Sequence, residues 1–83
     1  MRKRTDPFIA EIRQNPELLR LAEYRGGTDV ERCIEIARRL LIERVPSEQL
    51  GEEYALSGRR VRKLVNDHVE RCKEKFLEVF ALG

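Results

Sequence analysis

The chain has 83 residues, 39% of them charged, and its 17 Lys and Arg against 15 Asp and Glu leave a net charge of +2. That length allows one small domain with a marginal core, because short chains bury a smaller share of their surface. The near-balance of charge excludes a uniformly basic or acidic protein, so any electrostatic role must come from where the charges lie.

Met1 to Arg4 is basic without apolar periodicity, and residues 1–5 are expected to form a flexible arm ahead of a single domain at 6–83. Asp6-Pro7 is a helix start, with Asp6 as N-cap and Pro7 where its missing N–H costs nothing; Phe8, Ile9 and Ile12 form the inner face. Asn15-Pro16 repeats the signal and opens a second short helix with Leu18, Leu19, Leu21 and Ala22 inward. Gly26-Gly27 is expected to end it, since glycine accepts the left-handed dihedrals of a C-cap. Thr28 and Glu31 have capping-box spacing for a third helix. Along it Val30, Cys33, Ile34, Ala37, Leu40, Leu41 and Val45 recur at helical spacing, and Ile36 and Ile42 widen the apolar arc. Such a helix is expected to be the central one, stopped by Pro46. Ser47 then caps a fourth helix to Ala55, and a fifth runs from about Gly58 toward Leu82. No period-two apolar run or hairpin turn occurs. The expected fold is therefore all-α, a small five-helix domain without a wing.

Residues 47–66 have the pattern of a helix-turn-helix, in which two helices cross closely at a tight turn. Gly51 gives the close approach, Leu50 and Tyr54 face the second helix, Leu56 plugs the turn, and Ser57 caps the second helix. Val61, Leu64, Val65 and His68, at i, i+3, i+4 and i+7, form its inner stripe, and Arg59, Arg62, Lys63 and Asn66 repeat that spacing on another face. No acid occurs between 57 and 66. An ordinary solvated face is the alternative, but the absence of balancing acids argues against it.

Arginine pairs bidentately with guanine and asparagine with adenine in the major groove. Arg59, Arg62 and Asn66 are accordingly the expected base contacts. Lys63, Arg60, Ser47, Gln49 and Ser57 are the expected phosphate contacts, the hydroxyls and amide lying near helix N-termini where the dipole favours anions. Arg2, Lys3 and Arg4 are expected to follow the backbone or enter a minor groove.

The run Leu50-Gly51-Glu52-Glu53-Tyr54-Ala55-Leu56-Ser57, continued by Val61 and Leu64, resembles the helix-turn-helix signature of bacterial and phage repressors. From Ile34 through Val69, with a long helix before the motif and another continuing after it, the chain resembles the KorA/TrfB plasmid repressors and the PapB-type fimbrial regulators. The resemblance implies a dimer on an operator of two-fold symmetry. Ala55 stands at the turn position that such motifs usually fill with glycine.

Beyond the motif, Val65, Val69, Cys72, Phe76 and Val79 are spaced four, three, four, three, in heptad fashion, and Phe80 and Leu82 extend the series. The end of the fifth helix, 67–82, is therefore expected to form a homodimer interface through Val69, Cys72, Phe76, Val79 and Phe80; the alternative is that Phe8, Ile9 and Ile12 cover it within one chain. A single recognition helix touches few bases, which favours a pair.

The remaining chemistry is sparse. Two cysteines and one histidine are too few for a zinc site, so no metal or other cofactor is expected, and Cys33 and Cys72 are read as small hydrophobes. His68, Tyr24 and Tyr54 are read as packing residues. No nucleophile–base arrangement can be placed, and Gly26-Gly27 lacks the lysine and spacing of a phosphate loop, so an enzyme is not expected and no small-molecule ligand is evident. Leu40-Leu41-Ile42, the longest apolar run, is far short of a membrane span. With no secretory segment ahead of it, the chain is expected in the cytoplasm. The expected function is a sequence-specific duplex-DNA-binding regulator of transcription, a repressor in kind. The alternatives are a DNA-packaging, partition or excision accessory protein using the same motif, or a protein-interaction adaptor acting on the transcription machinery.

Overall fold

Helical structure accounts for every element of the computed structural model, which describes residues 7–24, 26–27 and 29–81, the last two as backbone only. Helix α1 (Pro7–Gln14) starts with proline at its first position and buries Phe8 and Ile12. Asp6, its expected N-cap, lies outside the described residues. The second expected helix is a 3-10 helix, Pro16–Leu21, whose N-cap Asn15 accepts a bond from the Glu17 N–H. Six residues behind a proline favour this tighter form, which survives only in short pieces. It ends at Ala22, which is extended. Gly26, at φ 76°, therefore serves a loop after Tyr24 and caps no helix, contrary to the sequence expectation.

Helix α2 (Val30–Leu41) is capped by Asp29, whose carboxylate accepts from the Arg32 N–H at 3.1 Å, while Thr28 lies outside the described residues. It stops four residues short of Val45: the chain reverses at Arg44 with φ 61°, and the Val45 N–H returns to the Arg39 carbonyl at 3.0 Å. Helix α3 (Ser47–Tyr54) has Pro46 rather than Ser47 at its N-cap, with no side-chain capping bond. Helix α4 (Gly58–Phe76) runs 19 residues and passes into a π-helical turn, Leu77–Ala81.

The central helix is α4, not α2. The 3-10 helix, α2 and α3 all pack on it, and Val61, Val65, His68, Val69 and Cys72 of its inner face are buried. Helix α2 buries Cys33, Ile34, Ile36 and Ala37, but Leu40, Leu41 and Ile42 are only partly covered. Its wide apolar arc reflects a helix end that packs against the core without being enclosed by it.

Two of the expected interface residues are likewise corrected. Val69 and Cys72 are 4% and 0% exposed within one chain, and the Cys72 thiol donates to the Leu19 carbonyl at 3.5 Å. The heptad-like spacing marks the core stripe of α4, so neither residue has surface to offer a second copy. Phe76 is half-buried with its ring 5.3 Å from that of Phe8. Leu77 and Val79, at 49% and 50%, are the exposed large apolar residues of this end, and the Phe80 side chain lies outside the described residues. No described helix is long and apolar enough to cross a membrane.

His68 is the one buried polar side chain among the described residues. Its Nε2 lies 2.8 Å from the Leu19 carbonyl and its Nδ1 2.7 Å from the Tyr24 hydroxyl. A carbonyl can only accept, so Nε2 carries the proton and Nδ1 accepts from tyrosine. Neutral imidazole fits both partners. Burial lowers the His68 pKa accordingly, and also raises that of Tyr24 to about 12. Arg71 lies over the Tyr24 ring, 4.5 Å from its centroid. His68 thus fastens the 3-10 helix and the following loop to α4.

Candidate nucleic-acid interface

The candidate surface is built on the corner between α3 and α4. Helix α3 ends at Ala55 in the left-handed conformation, φ 60° and ψ 42°, and the Leu56 N–H turns back to the Gly51 carbonyl at 2.7 Å. The Gly51 carbonyl thus accepts from both Ala55 and Leu56, which tightens the end of the helix. The turn also brings the Leu56 backbone onto Gly51: a Cβ at residue 51 would overlap the Leu56 carbonyl oxygen and sit 3.2 Å from its carbon. Gly58 meets the start of α3 less tightly, since a Cβ there would lie 2.9 Å from Glu48 Cγ and 3.4 Å from the Glu48 backbone. Gly51 lets the turn lie directly on the middle of α3, and Gly58 brings the start of α4 against the start of α3. Leu50 and Val61 are fully buried behind the corner, with Val65 beside them. Ser57 caps α4 as expected, accepting from the Arg60 N–H at 3.0 Å.

The corner is braced from α2. Arg32 donates to the Tyr54 carbonyl at 3.1 Å, satisfying the end of α3, and lies over the Tyr54 ring at 5.7 Å. Arg39 grips Glu53 with both guanidinium nitrogens, at 2.5 and 3.3 Å. That grip, foremost among its contacts, holds the Glu53 carboxyl below its usual pKa, and Gln49 adds a weaker hydrogen bond. The bracing role of Arg32 and Arg39 went unread in the sequence. Both contacts join residues more than a dozen positions apart, which periodicity does not register.

The outer face of α4 then carries Arg59, Arg60, Arg62, Lys63 and Asn66, all exposed. They share one surface because the opposite stripe is held in the core. Arg59, Arg60 and Asn66 make no side-chain bond to the described residues. Lys63 pairs with Asp67 at 3.6 Å, an exposed i,i+4 pair of the kind that contributes little and yields readily to another anion. Arg62 donates to Ser47 Oγ at 2.8 Å, across the groove between α4 and α3. Ser47 is half-buried, and Gln49 and Ser57 are exposed. Arg2, Lys3 and Arg4 lie outside the described residues.

In charge, this surface differs from the rest of α4. Acids return from Asp67 onward with Glu70, Glu74 and Glu78, and Lys75 bridges Glu23 and Glu78 at 3.2 and 3.3 Å. The first two and a half turns are cationic and the rest mixed. Among the described residues no cluster of His, Cys, Asp and Glu is arranged to hold a metal. No family model matches the chain, and no curated protein or solved structure matches it.

Proposed function

We propose that the chain is a sequence-specific duplex-DNA-binding regulator of transcription, a repressor, that uses α3, the turn and α4 as a helix-turn-helix. The observation that carries this reading is the acid-free cationic face of α4 from Arg59 to Lys63, raised on a corner whose close approach requires Gly51. An α-helix fits the major groove, and a helix presented by its first turns is how such motifs reach base edges. Arg59, Arg62 and Asn66 have donors suited to guanine and adenine edges. Arg60 and Lys63 flank them and suit phosphates, and the N–H groups at the start of α3, which no side chain caps, favour an anion beside them.

A homodimer belongs to this reading, because paired recognition helices read two half-sites and raise specificity. Its support is the apolar end of the molecule, where Leu77 and Val79 are half-exposed beside a hollow of about 250 Å³ lined by Pro7, Phe8, Phe76 and Leu77 with Glu11 and Lys73. The same end would serve a protein-interaction adaptor, whose DNA affinity would be weak and indifferent to sequence.

Titration of labelled duplexes with Arg62→Ala and Lys63→Ala separates these. Each loss is expected to weaken binding with the thermal midpoint unchanged, because both side chains are exposed. Arg62→Ala should also relax preference at one base position, by about 1–3 kcal/mol for a lost bidentate contact. Unchanged affinity in both variants would reject the groove-reading assignment.

A further inference from the structure

Arg62 is the one cation of the outer face that is tied to α3, through the hydroxyl of Ser47. We infer that Ser47 is a positioning residue for Arg62, holding its guanidinium in the pose in which it meets a base, rather than an independent phosphate contact. This inference rests on the DNA-reading proposal above.

Three observations carry it. First, Ser47 is released from the role its position suggests: Pro46 is the N-cap of α3 and no side chain caps that end. Second, the freed hydroxyl accepts from Arg62 Nη1 at 2.8 Å, fifteen residues away on the neighbouring helix. Third, the two backbones cannot drift apart or together easily. Gly58 lies so close to Glu48 that a Cβ there would touch the Glu48 backbone at 3.4 Å and crowd its Cγ at 2.9 Å, and Leu50 and Val61 are fully buried behind the contact. The hydroxyl is therefore a fixed point on one helix, and the long side chain of the other is anchored to it.

An unanchored arginine must be ordered when it meets a base, and that ordering weakens binding. A guanidinium fixed through one nitrogen keeps its other N–H groups in a set direction, since the group is planar and its donors form a rigid fork. Ser47 as acceptor therefore leaves Arg62 able to donate outward.

The experiment uses the full chain and duplexes enriched from a random pool by the wild-type protein. Affinities are measured for the enriched site, for each single-base change in it and for a random duplex, at two salt concentrations. In Ser47→Ala, discrimination is expected to fall about two- to tenfold at one base position, the position at which Arg62→Ala also loses preference. Random-duplex affinity and salt dependence should stay as in wild type, and Ser47→Thr, which keeps the acceptor, should restore discrimination. An even loss across all sequences, the random duplex included, would mark Ser47 as a phosphate contact and overturn the inference. Discrimination unmoved in Ser47→Ala while wild type still selects a site would overturn it too, leaving DNA reading intact. Absence of duplex binding by the wild-type chain would remove both. A circular-dichroism melt of each variant separates loss of reading from loss of fold, and Ser47→Thr alone suffices if Ser47→Ala melts early, since it too must keep the Arg62 position selective.

Discussion

Gly51 and Ala55 make opposite demands on the chain one helical turn apart. At Gly51 the limit is space: the Leu56 carbonyl occupies the volume a Cβ would need. At Ala55 the limit is conformation, because φ 60° is left-handed and costs an L-residue with a Cβ about 1–2 kcal/mol. Gly51→Ala is accordingly expected to destabilise by about 1–3 kcal/mol through overpacking against backbone. Ala55→Gly is expected to stabilise by about 0.5–1 kcal/mol, the relief of strain being partly offset by glycine's greater freedom in the unfolded chain. In a domain of this size each kcal/mol moves the melting midpoint by roughly 4–8 °C, so a thermal melt followed by circular dichroism reads both. Equal midpoints for the two variants would contradict the geometry of the turn. Ala55 thus adopts the left-handed conformation that glycine ordinarily supplies at a helix end.

Among elements, α4 does two jobs along one length. Its inner stripe forms the core and its outer N-terminal face carries the cations. The inner stripe was legible from periodicity, and so was the α3–turn–α4 corner, because Gly51, Leu56 and Ser57 each satisfy a local requirement that leaves a mark in sequence. The rank of the helices was not legible. Apolar breadth pointed to α2 as the centre, whereas coverage depends on which elements return to pack, and three of them return to α4. The same gap explains Val69 and Cys72: heptad spacing identifies a stripe but not whether a second copy or the chain's own 3-10 helix covers it. His68 is the hinge of that packing. The buried ring accepts from Tyr24 and donates to Leu19 only when neutral, and its pKa is lowered by burial. The unfolded chain binds the proton more readily, so this contribution is complete above about pH 6.5, the ordinary imidazole value, and is lost as pH falls toward the lowered folded value. Urea midpoints are expected to fall between pH 7.5 and 5.5 in the wild-type chain. In His68→Gln, whose amide can make both bonds without titrating, they should fall much less. An equally steep fall in His68→Gln would assign the pH dependence to other groups.

For the whole molecule, the small net charge conceals a polarised arrangement. Arg59, Arg60, Arg62 and Lys63 gather on the first turns of α4 beside the exposed Glu48, Glu52 and Glu53 of α3, mixed charge covers the later turns of α4, and exposed Leu77 and Val79 lie beyond its far end. One end is thereby suited to a polyanion and the other to an apolar partner, and a second copy joined at the far end would carry a second cationic corner. That separation is what the length of α4 provides, and it gives the proposal its central claim: the N-terminal face of α4 reads duplex DNA. Selection of bound sequences from a random duplex pool tests it most directly. The expected result is enrichment of a defined site, arranged as an inverted repeat with half-site centres about 10 base pairs apart. A bound pool indistinguishable in sequence from the starting one would contradict it.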